Sequence, residues 1–404
     1  MKSKTRLSQG YHSADLLESV SRAWHDDDHL LIVVPPLKTD HSFLDVLPGG
    51  ANAVEFPEKP LFGVFTSGTV SGKPRLVLYS RRNIEAALEA VLKLFDRTRI
   101  TSVFAYPQPF HTFGLTLGYL LALKLSVPLR FHEGKYSQES HRTRASFTDA
   151  GQLTLGTPAH FFDLCALIKK GLEVTPSYSC IIGGAAVDVD LWNQVRSVAQ
   201  IEAPSIGYGC TEASPAVTHL NPGTAPSRSG EIGFPLDNLH SAVVKDQGVE
   251  ISGPSLCMAI VESDGAGFEV KFPEKLMISD DIEVLPNGSW VFQGRLDLRL
   301  NRGGSKIPLE EVESILKEKL GLFAIAFAVP SARLGQDLAV AIRSDKTGGP
   351  RAKIIEVIQD QFQVKVPESN LMFLEHFPLS ESAKIDRAAI ARSFHTQKFP
   401  EPTA

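Results

Sequence analysis

One stretch near the start of the chain combines glycine, hydroxyl and basic residues in a pattern suited to binding phosphate. It runs from Phe65 to Arg75 in the order Phe-Thr-Ser-Gly-Thr-Val-Ser-Gly-Lys-Pro-Arg and follows an apolar run that predicts a buried strand. Glycines let backbone N–H groups turn toward an anion, hydroxyls donate further hydrogen bonds, and Lys73 and Arg75 supply positive charge. It is not a Walker loop, because Ser67 and Pro74 stand where that motif needs Gly and Ser or Thr. Taken alone, the pattern fits a flexible Ser/Gly turn equally well.

Three later stretches place small or reactive residues where predicted strands end. They are Pro-Phe-His-Thr-Phe-Gly at 109–114, Gly-Gly-Ala-Ala-Val at 183–187 and Ile-Gly-Tyr-Gly-Cys-Thr-Glu at 206–212. Ligands of α/β folds bind outside the carboxyl ends of the strands, so these junctions are candidate binding segments. The carboxylate of Glu212 beside a phosphate chain would require Mg²⁺ between them, because like charges repel. In isolation, His111 is more typical of a buried, hydrogen-bonded histidine, and the glycine pair of a tight turn.

Hydrophobic periodicity predicts the elements that carry these segments. Helices are predicted at 13–24 (with Ser13 as N-cap), 83–95, 115–125 and 159–170, and strands at 30–34, 103–109, 153–157 and 179–187. This alternation predicts an α/β fold in which parallel or mixed sheets are covered by helices. Short strands with Gly and Pro turns predict a small antiparallel β subdomain over about 230–296. The remaining helices and strands predict a small α+β domain at 297–404, after a large N-terminal domain at 1–296.

Composition narrows the class of protein. A chain of 404 residues favours two domains. The net charge of −5 comes without a basic block, which argues against a nucleic-acid partner. The 4 cysteines form no CxxC pair, which argues against a zinc site or a disulfide framework and fits a reducing compartment. The N-terminus has no signal-peptide core and no early apolar run could span a bilayer. We therefore expect a cytoplasmic monomer or homodimer without a membrane span.

Together, the motifs resemble those of the adenylate-forming superfamily of acyl-CoA synthetases, peptide-synthetase adenylation domains and luciferases. The resemblance covers the chain from about residue 60 to its end. The matching segments, in the order of that family, are Thr66 to Pro74, Pro109 to Gly114, Gly183 to Ala185, Tyr208 to Glu212, Asp280, Gly294 to Asp297, Gly303 to Glu311 and Pro378 to Lys384.

The resemblance implies an AMP-forming ligase that works in two half-reactions. A carboxylate attacks the α-phosphate of ATP to give an acyl-adenylate and pyrophosphate, and a thiol then displaces AMP to give a thioester. ATP, Mg²⁺ and either CoA or a carrier-protein phosphopantetheine are the implied cofactors and co-substrates. The implied catalytic residues are Lys384, His111, Thr69 and Glu212, of which Thr69 and Glu212 would also hold the metal. The implied ATP and AMP contacts are Thr66, Ser67, Gly68, Thr69, Gly72, Lys73, Gly184, Ala185, Tyr208, Gly209, Thr211, Asp280 and Arg295.

Further roles follow from the same resemblance. Asp297 resembles a hinge about which a mobile C-terminal lid domain would swing, withdrawing Lys384 and bringing the thiol-side residues Gly303, Gly304 and Lys306 forward. The implied acid pocket is lined by Phe110, His111, Phe113, Gly183, Gly207 and Cys210. No carboxylate in the 109–112 segment could pair with the ammonium of an amino acid, so we expect an uncharged acyl or aryl acid. Small residues at Gly183 and Gly207 are expected to leave room for a ring or a chain.

The chain departs from the family pattern at several positions. One extra residue lies at Val70-Ser71, Ala383 replaces a glycine before Lys384, and only 65 residues precede Thr66, which predicts a reduced first subdomain before residue 60. Three hypotheses therefore stand. The first is an acid–CoA ligase, the second a stand-alone adenylation enzyme that loads a carrier protein, and the third a degenerate nucleotide-binding homologue without turnover.

Overall fold

The computed structural model describes residues 4–26, 29–36, 41–66, 75–263, 267–302, 305–331, 333–344, 349–378 and 385–398. The chain divides into two compact units. Unit 1 comprises 1–245, 249–278 and 282–292, and unit 2 comprises 246–248, 279–281 and 293–404. Each unit has hydrophobic core clusters of its own.

The elements up to residue 295 are mainly strands, with helices between them. The strands are β1 (Lys4–Gln9), β2 (His29–Val34), β3 (Pro60–Thr66), β4 (Arg75–Ser80), β5 (Ser102–Ala105), β6 (Leu129–Arg130), β7 (Gln152–Gly156), β8 (Ser177–Gly183), β9 (Ile201–Gly209), β10 (Ala216–Leu220), β11 (Glu231–Pro235), β12 (His240–Val244), β13 (Gly248–Ser252), β14 (Ala259–Ser263), β15 (Phe268–Lys271), β16 (Lys275–Ile278), β17 (Asp280–Val284) and β18 (Trp290–Arg295). The helices are α1 (Ala14–His25), α2 (Arg81–Leu92), a π-helix (Phe113–Leu120) that continues as α3 (Leu121–Leu125), α4 (Glu139–Phe147), α5 (Pro158–Lys169) and α6 (Val189–Ser197).

Five short 3₁₀ turns are described, at Ser42–Val46, Arg97–Arg99, Thr211–Ala213, Leu296–Leu298 and Glu368–Asn370. The elements after residue 298 are β19 (Arg299–Arg302), β20 (Ser305–Pro308), α7 (Leu309–Leu320), β21 (Ala324–Ser331), β22 (Gly335–Arg343), α8 (Arg351–Phe362), β23 (Leu371–Leu374) and α9 (Arg387–Lys398). Their strands form one sheet in the order β20-β19-β22-β21, with β23 paired to β22.

Two large mixed sheets dominate the rest of the chain. The nine-stranded sheet has the order β17-β18-β11-β10-β9-β8-β7-β5-β6, and its β6, β5, β7, β8 and β9 run parallel. The six-stranded sheet has the order β1-β2-β3-β4-β14-β15, in which β1, β2 and β3 are parallel. Successive side chains of a strand face opposite ways. Accordingly, Ile181 packs with α2 and the π-helix, whereas Cys180 and Ile182 pack with α5 and α6 on the other face.

The predicted mixed α/β architecture is confirmed, but the strands predicted over 230–296 do not all stay together. Only β12, β13 and β16 form a separate small sheet, while β14 and β15 extend the six-stranded sheet and β11, β17 and β18 extend the nine-stranded one. The reason is visible in β14, where Ala259, Ile260 and Val261 are all buried and pair with β4. A strand that is buried on both faces fits the interior of a sheet better than an exposed one.

Several predicted boundaries also shift. The helix predicted at 13–24 lies at Ala14–His25, and the hydroxyl of Ser13 accepts the N–H of Leu16 as expected of an N-cap. The helix predicted to start at residue 83 starts at 81, because Ser80 and Asn83 form a capping box. The strand predicted at 103–109 ends at Ala105, and prolines at 107 and 109 cannot donate to a sheet ladder. Among the described residues, no helix combines the length and the apolar character needed to cross a membrane.

Four histidines are buried among the described residues of unit 1. Burial lowers the pKa of His12, His160 and His219 from an ordinary 6.5 to about 3, and the pKa of His141 to about 4. These side chains are therefore neutral in the native protein at pH values where an unfolded chain would protonate them.

We therefore expect the free energy of unfolding to fall as the pH decreases from about 6.5 toward 4. In that window the unfolded state binds a proton at each of these histidines and the native state does not, which costs about 1.4 kcal/mol per pH unit for each histidine. Urea unfolding from pH 5 to 8 measures the slope, and His219→Gln should make it shallower by about one proton. The exposed His25 serves as the control in His25→Gln, and an equal loss of slope there would contradict the assignment.

Candidate active site

The parallel half of the nine-stranded sheet brings the candidate segments to one edge. Strands β5 and β7 pair at Ala105 and Leu155, β7 and β8 at Gly156 and Ile182, and β8 and β9 at Gly183 and Gly207. The carboxyl ends of parallel strands lie at the same edge of a sheet. The segments that begin at residues 106, 157, 184 and 210 therefore start side by side, although they are far apart in sequence.

The phosphate-type stretch lies between two neighbouring strands. Thr66 ends β3, Arg75 begins β4, and the two residues are antiparallel partners. Residues 67–74, which carry the predicted phosphate ligands Ser67, Gly68, Thr69, Gly72 and Lys73, lie outside the described residues.

An ion pair joins the base of this stretch to the predicted metal ligand. Arg75 Nη2 lies 2.7 Å from Glu212 Oε1, and Arg75 Nη1 lies 3.5 Å from Glu262 Oε1. Glu212 stands in the 3₁₀ turn after β9, and its carbonyl accepts the N–H of Cys257 at 2.7 Å. Glu212 therefore contacts Arg75, the last residue of the phosphate-type stretch.

Tyr79 fixes two candidate segments at once. Its hydroxyl donates to the carbonyl of Thr211 at 2.8 Å, and it lies 2.7 Å from Oγ1 of Thr112. Since Tyr79 has one hydroxyl hydrogen, Thr112 is the donor in the second bond. Burial raises the pKa of Tyr79 well above its ordinary value, so this phenol stays neutral. Sequence reasoning missed Tyr79, and its only signal was a polar tip in the apolar strand β4, since a buried tyrosine hydroxyl needs a partner.

The segment before the π-helix is tightly packed against its own backbone. A Cβ atom on Gly114 would lie 2.2 Å from the carbonyl oxygen of Gln108, so only glycine fits there. His111 is half-buried, with its ring 4.6 Å from that of Phe110 in an edge-to-face contact. Phe110 itself is fully buried in the main core of unit 1. Phe110 therefore packs against His111 from the core side. It is not exposed at the sheet edge.

Gly183 and Gly207 are register partners, and the chain itself fills the space beside them. A Cβ atom on Gly183 would lie 3.4 Å from the ring of Phe113 and 3.0 Å from the carbonyl oxygen of Gly207. One on Gly207 would lie 3.1 Å from Ile181 and 3.3 Å from the ring of His219. This corrects the expectation that these glycines leave room for a substrate: they are small because neighbouring side chains approach closely.

His219 lies under the predicted acid pocket and was missed by sequence reasoning. Ser205 donates its hydroxyl hydrogen to the carbonyl of Cys180 at 2.7 Å, so it accepts from Nε2 of His219 at 2.9 Å. His219 then carries its proton on Nε2 and a lone pair on Nδ1, the nitrogen 3.3 Å from a Cβ placed on Gly207. No sequence pattern could identify the contact of His219 with Gly207, because that contact depends on the pairing of β9 with β10.

The predicted adenine-binding residues flank the ends of β8 and β9. Gly184 has a φ of +84°, a conformation that favours glycine, and both it and Ala185 are exposed. Tyr208 is half-buried, with its ring 6.3 Å from that of Phe292. A Cβ atom on Gly209 would lie 1.5 Å from the carbonyl oxygen of Pro215, so the backbone after Tyr208 admits no other residue in this conformation. The small residues Gly184 and Ala185 thus lie next to the strand end that carries the aromatic side chain of Tyr208.

The predicted ribose-binding residues belong to unit 2. Arg295 Nε lies 3.7 Å from Oδ1 of Asp280, which is 8% exposed. The neighbouring Asp281 pairs with Arg299. The predicted hinge residue Asp297 lies in the 3₁₀ turn Leu296–Leu298, and Lys306 lies in β20. Gly303, Gly304 and Lys384 lie outside the described residues.

Comparison with known proteins identifies the class that this fold and these segments define. A family model described as AMP-binding enzyme matches residues 13–255, more than half of the chain. The chain therefore belongs to the AMP-binding enzyme family, which is part of the adenylate-forming superfamily.

Curated relatives match at low identity. The chain is 24% identical over 358 residues to tyrocidine synthase 3 of Brevibacillus parabrevis, covering 81% of this chain and 5% of that protein. It is 23% identical over 376 residues to an oxalate–CoA ligase of Arabidopsis thaliana, covering 86% of this chain and 70% of the relative. A D-alanine–D-alanyl carrier protein ligase of Staphylococcus aureus is 27% identical over 202 residues, which is 46% of this chain and 40% of the ligase. The chain thus spans only part of the length of these relatives.

Solved structures share the fold. ATP-bound MatB from Rhodopseudomonas palustris superimposes with a TM-score of 0.77 at 15% identity, covering 98% of this chain and 89% of MatB. E. coli MenE with bound OSB-AMS gives a TM-score of 0.74 at 18% identity, covering 98% and 88% of the two chains. These similarities establish the mixed α/β fold.

Proposed function

We propose that this protein joins a carboxylic acid to AMP at the expense of ATP and then passes the acyl group to a thiol. In the first half-reaction a carboxylate oxygen attacks the α-phosphate, and pyrophosphate leaves. In the second a thiol sulfur attacks the acyl carbon, AMP leaves, and the thiol proton is released. The observation that carries the proposal is that Gly184 and Tyr208 lie at the ends of the neighbouring strands β8 and β9, while Glu212, in the turn after β9, pairs with Arg75 at the end of the phosphate-type stretch.

The donor set at this edge fits a magnesium ion that is shared with phosphate. Mg²⁺ is usually held by one or two carboxylates together with phosphate oxygens and water. Within the described ranges, no group of three or more His, Cys, Asp or Glu side chains could hold a metal alone. Glu212 supplies one carboxylate, and Thr69 is the proposed second ligand. When bound there, Mg²⁺ would neutralise charge on the phosphates, and the ion pair with Arg75 would hold the Glu212 carboxylate in place.

The other residues take roles that follow from their chemistry. Thr66 and the following glycines and Lys73 would bind the β- and γ-phosphates, and Gly184, Ala185 and Tyr208 would flank the adenine. Asp280 would accept hydrogen bonds from the ribose hydroxyls, with Arg295 holding its carboxylate in place. Lys384 would bind oxygen atoms of the carboxylate and of the α-phosphate. Negative charge builds on these atoms as the carboxylate attacks.

The filled space around the glycine pair favours a short acid. Phe113 covers Gly183, and Ile181 and His219 cover Gly207, so an acyl chain cannot lie directly against these glycines. His219 is neutral at physiological pH, since burial lowers its pKa to about 3, and it offers no charge to a substrate. We therefore propose that the substrate is a short, uncharged acyl or aryl acid.

Replacing Phe113 with alanine should move the preferred acid toward longer chains. Truncation frees space directly over Gly183, and one methylene in an apolar pocket is typically worth about tenfold or more in discrimination. ATP–pyrophosphate exchange across straight-chain acids of increasing length measures the preference. Phe162, which is 62% exposed on α5, provides the control in Phe162→Ala. An unchanged length profile in Phe113→Ala would exclude Phe113 as the limit of the pocket.

The acceptor thiol is the second part of the proposal. One relative is named for CoA and another for a carrier protein, so both thiols are candidates. We favour CoA, and the test is exchange across aliphatic and aryl acids followed by thioester formation with CoA and with a holo carrier protein in parallel. Thioester formed with CoA alone supports an acid–CoA ligase, and thioester formed with the carrier alone supports a stand-alone adenylation enzyme. No exchange with any acid would leave a nucleotide-binding homologue without turnover.

A further inference from the structure

The side-chain amide of Gln108 binds two segments of unit 1 that are distant from each other in sequence. Its Oε1 accepts the N–H of His12 at 3.0 Å, and its Nε2 donates to the carbonyl of Gly134 at 3.2 Å. His12 and Gly134 are themselves bridge partners, and the N–H of Gly134 donates to the carbonyl of His12 at 3.0 Å. An amide offers an acceptor and a donor side by side, as a peptide group does, so Gln108 joins this bridge as a third partner.

The backbone of Gln108 holds the segment that follows it, residues 109–114, which we call the acid segment. The carbonyl oxygen of Gln108 accepts the N–H of His111 at 3.1 Å. A Cβ atom on Gly114 would lie 2.2 Å from the same oxygen, so the chain turns tightly around it. The position of Gln108 therefore determines the turn that carries His111 and leads to Phe113.

Ring contacts hold the turn before α1 in place. The ring of His12 lies nearly parallel to those of Tyr119 and Phe131, with centroids 5.7 and 5.0 Å away. Nδ1 of His12 also lies 3.1 Å from the hydroxyl of Tyr119. Next to it, the ring of Tyr11 meets that of Phe110 edge to face at 6.0 Å. The turn before α1 is therefore packed both against the core and against the acid segment.

We infer that Gln108 is a positioning residue for the acid substrate. Its amide fastens the acid segment to His12 and to Gly134, and so determines where the side chains of His111 and Phe113 stand. The inference deepens the proposed function and rests on it, since both side chains are proposed to line the acid pocket. The turn before α1 thereby becomes part of the support of that pocket, although it lies far from the pocket residues in sequence.

Pyrophosphate exchange by Gln108→Ala tests the inference, with the acid that wild-type protein exchanges fastest as the probe. Two lost hydrogen bonds are worth about tenfold or more, so the KM for the acid should rise about tenfold. The KM for ATP should stay close to its wild-type value, because the proposed adenine contacts Gly184 and Tyr208 belong to the ends of β8 and β9. A merely structural defect lowers the amount of active protein, which reduces kcat and leaves both KM values unchanged.

Gln9→Ala is the matched control. The amide of Gln9 donates to the carbonyls of Pro35 at 3.2 Å and Pro36 at 2.8 Å, so its loss also removes two bonds of a glutamine side chain to the backbone. Gln9 ends β1 shortly before His12, and this variant should keep the wild-type KM for the acid. An acid KM in Gln108→Ala no higher than in Gln9→Ala would overturn the inference, as would an equal rise in the KM values for acid and ATP.

A second variant covers the case in which Gln108→Ala does not fold. Gln108→Glu keeps the shape of the side chain and the acceptor for His12, but it places an oxygen against the carbonyl of Gly134, where the donor is lost. Its KM for the acid should also rise. A wild-type value in this variant would count equally against the inference.

Amide hydrogen exchange tests the bonds of Gln108 without requiring activity. In Gln108→Ala the N–H of His12 loses its acceptor, so peptides that span 10–14 should gain deuterium about tenfold faster at His12. In Gln108→Glu the acceptor remains, and His12 should keep its wild-type protection. Unchanged protection of His12 in Gln108→Ala would overturn the inference. If wild-type protein exchanges pyrophosphate with no acid, the proposed function fails, and the deuterium uptake still decides whether Gln108 fastens the two segments.

Discussion

Replacing Lys384 with alanine is expected to lower ATP–pyrophosphate exchange by about 10²–10³ while leaving nucleotide binding nearly unchanged. In the proposed mechanism this ammonium group binds oxygen atoms that gain negative charge only as the carboxylate attacks the α-phosphate. An interaction that strengthens in the transition state affects the rate far more than the binding of substrate. Exchange kinetics at saturating acid, together with equilibrium binding of a fluorescent ATP analogue, measure the two quantities separately.

A lysine elsewhere in the same unit provides the comparison. Lys365 is exposed between α8 and β23, and Lys365→Ala should retain wild-type exchange. Exchange by Lys384→Ala at the wild-type rate would remove Lys384 from the mechanism. A parallel loss of nucleotide binding would instead assign it to substrate affinity.

The sequence predicted most accurately those features, such as helix boundaries, that depend on neighbouring residues. Ser13 and the period of α1 located that helix to within a residue at each end, because capping and amphipathicity are properties of neighbouring residues. The family resemblance implies that Glu212 works together with the phosphate-type stretch; Glu212 pairs with Arg75 at the end of that stretch, and its role as a metal ligand stays a prediction. The roles of Lys384, Asp297 and Gly303 stay predictions.

What the sequence could not predict depends on pairing between distant segments. The short apolar segment at 257–261 predicted a strand, but not that this strand would pair with β4, far earlier in the chain, and so leave the small β sheet. Tyr79, His219 and Gln108 act through partners that no spacing rule connects to them.

The expectation that Gly183 and Gly207 leave room for a substrate fails for a different reason. Gly183 and Gly207 were interpreted as open space, but a glycine is equally necessary where a neighbouring side chain packs against the backbone. Phe113 and His219 take that space. Composition alone does not distinguish the two cases, because both require the absence of a Cβ atom. The same distinction explains Gly114, whose missing Cβ admits the carbonyl oxygen of Gln108.

Replacing Glu212 with glutamine should lower exchange by about 10² and raise the Mg²⁺ concentration needed for half-maximal rate. A glutamine keeps the shape and can still accept a hydrogen bond from Arg75, but it removes the negative charge that the metal requires. A bound metal ion contributes several kcal/mol to such a transition state, and about 3 kcal/mol corresponds to the expected loss. Exchange assays over a Mg²⁺ titration measure both effects, since a purely structural defect would lower the rate at every Mg²⁺ concentration alike.

Glu262 provides a matched comparison, because it is a second carboxylate that pairs with Arg75. It lies 3.5 Å from Arg75 Nη1, with 29% of its side chain exposed, and it belongs to β14 instead of the segment after β9. An exposed ion pair is worth at most about 1 kcal/mol, so Glu262→Gln should change exchange by no more than a few-fold and leave the Mg²⁺ dependence unaltered. If both variants lose activity equally at all Mg²⁺ concentrations, the common cause is the orientation of Arg75, and Glu212 is not a metal ligand.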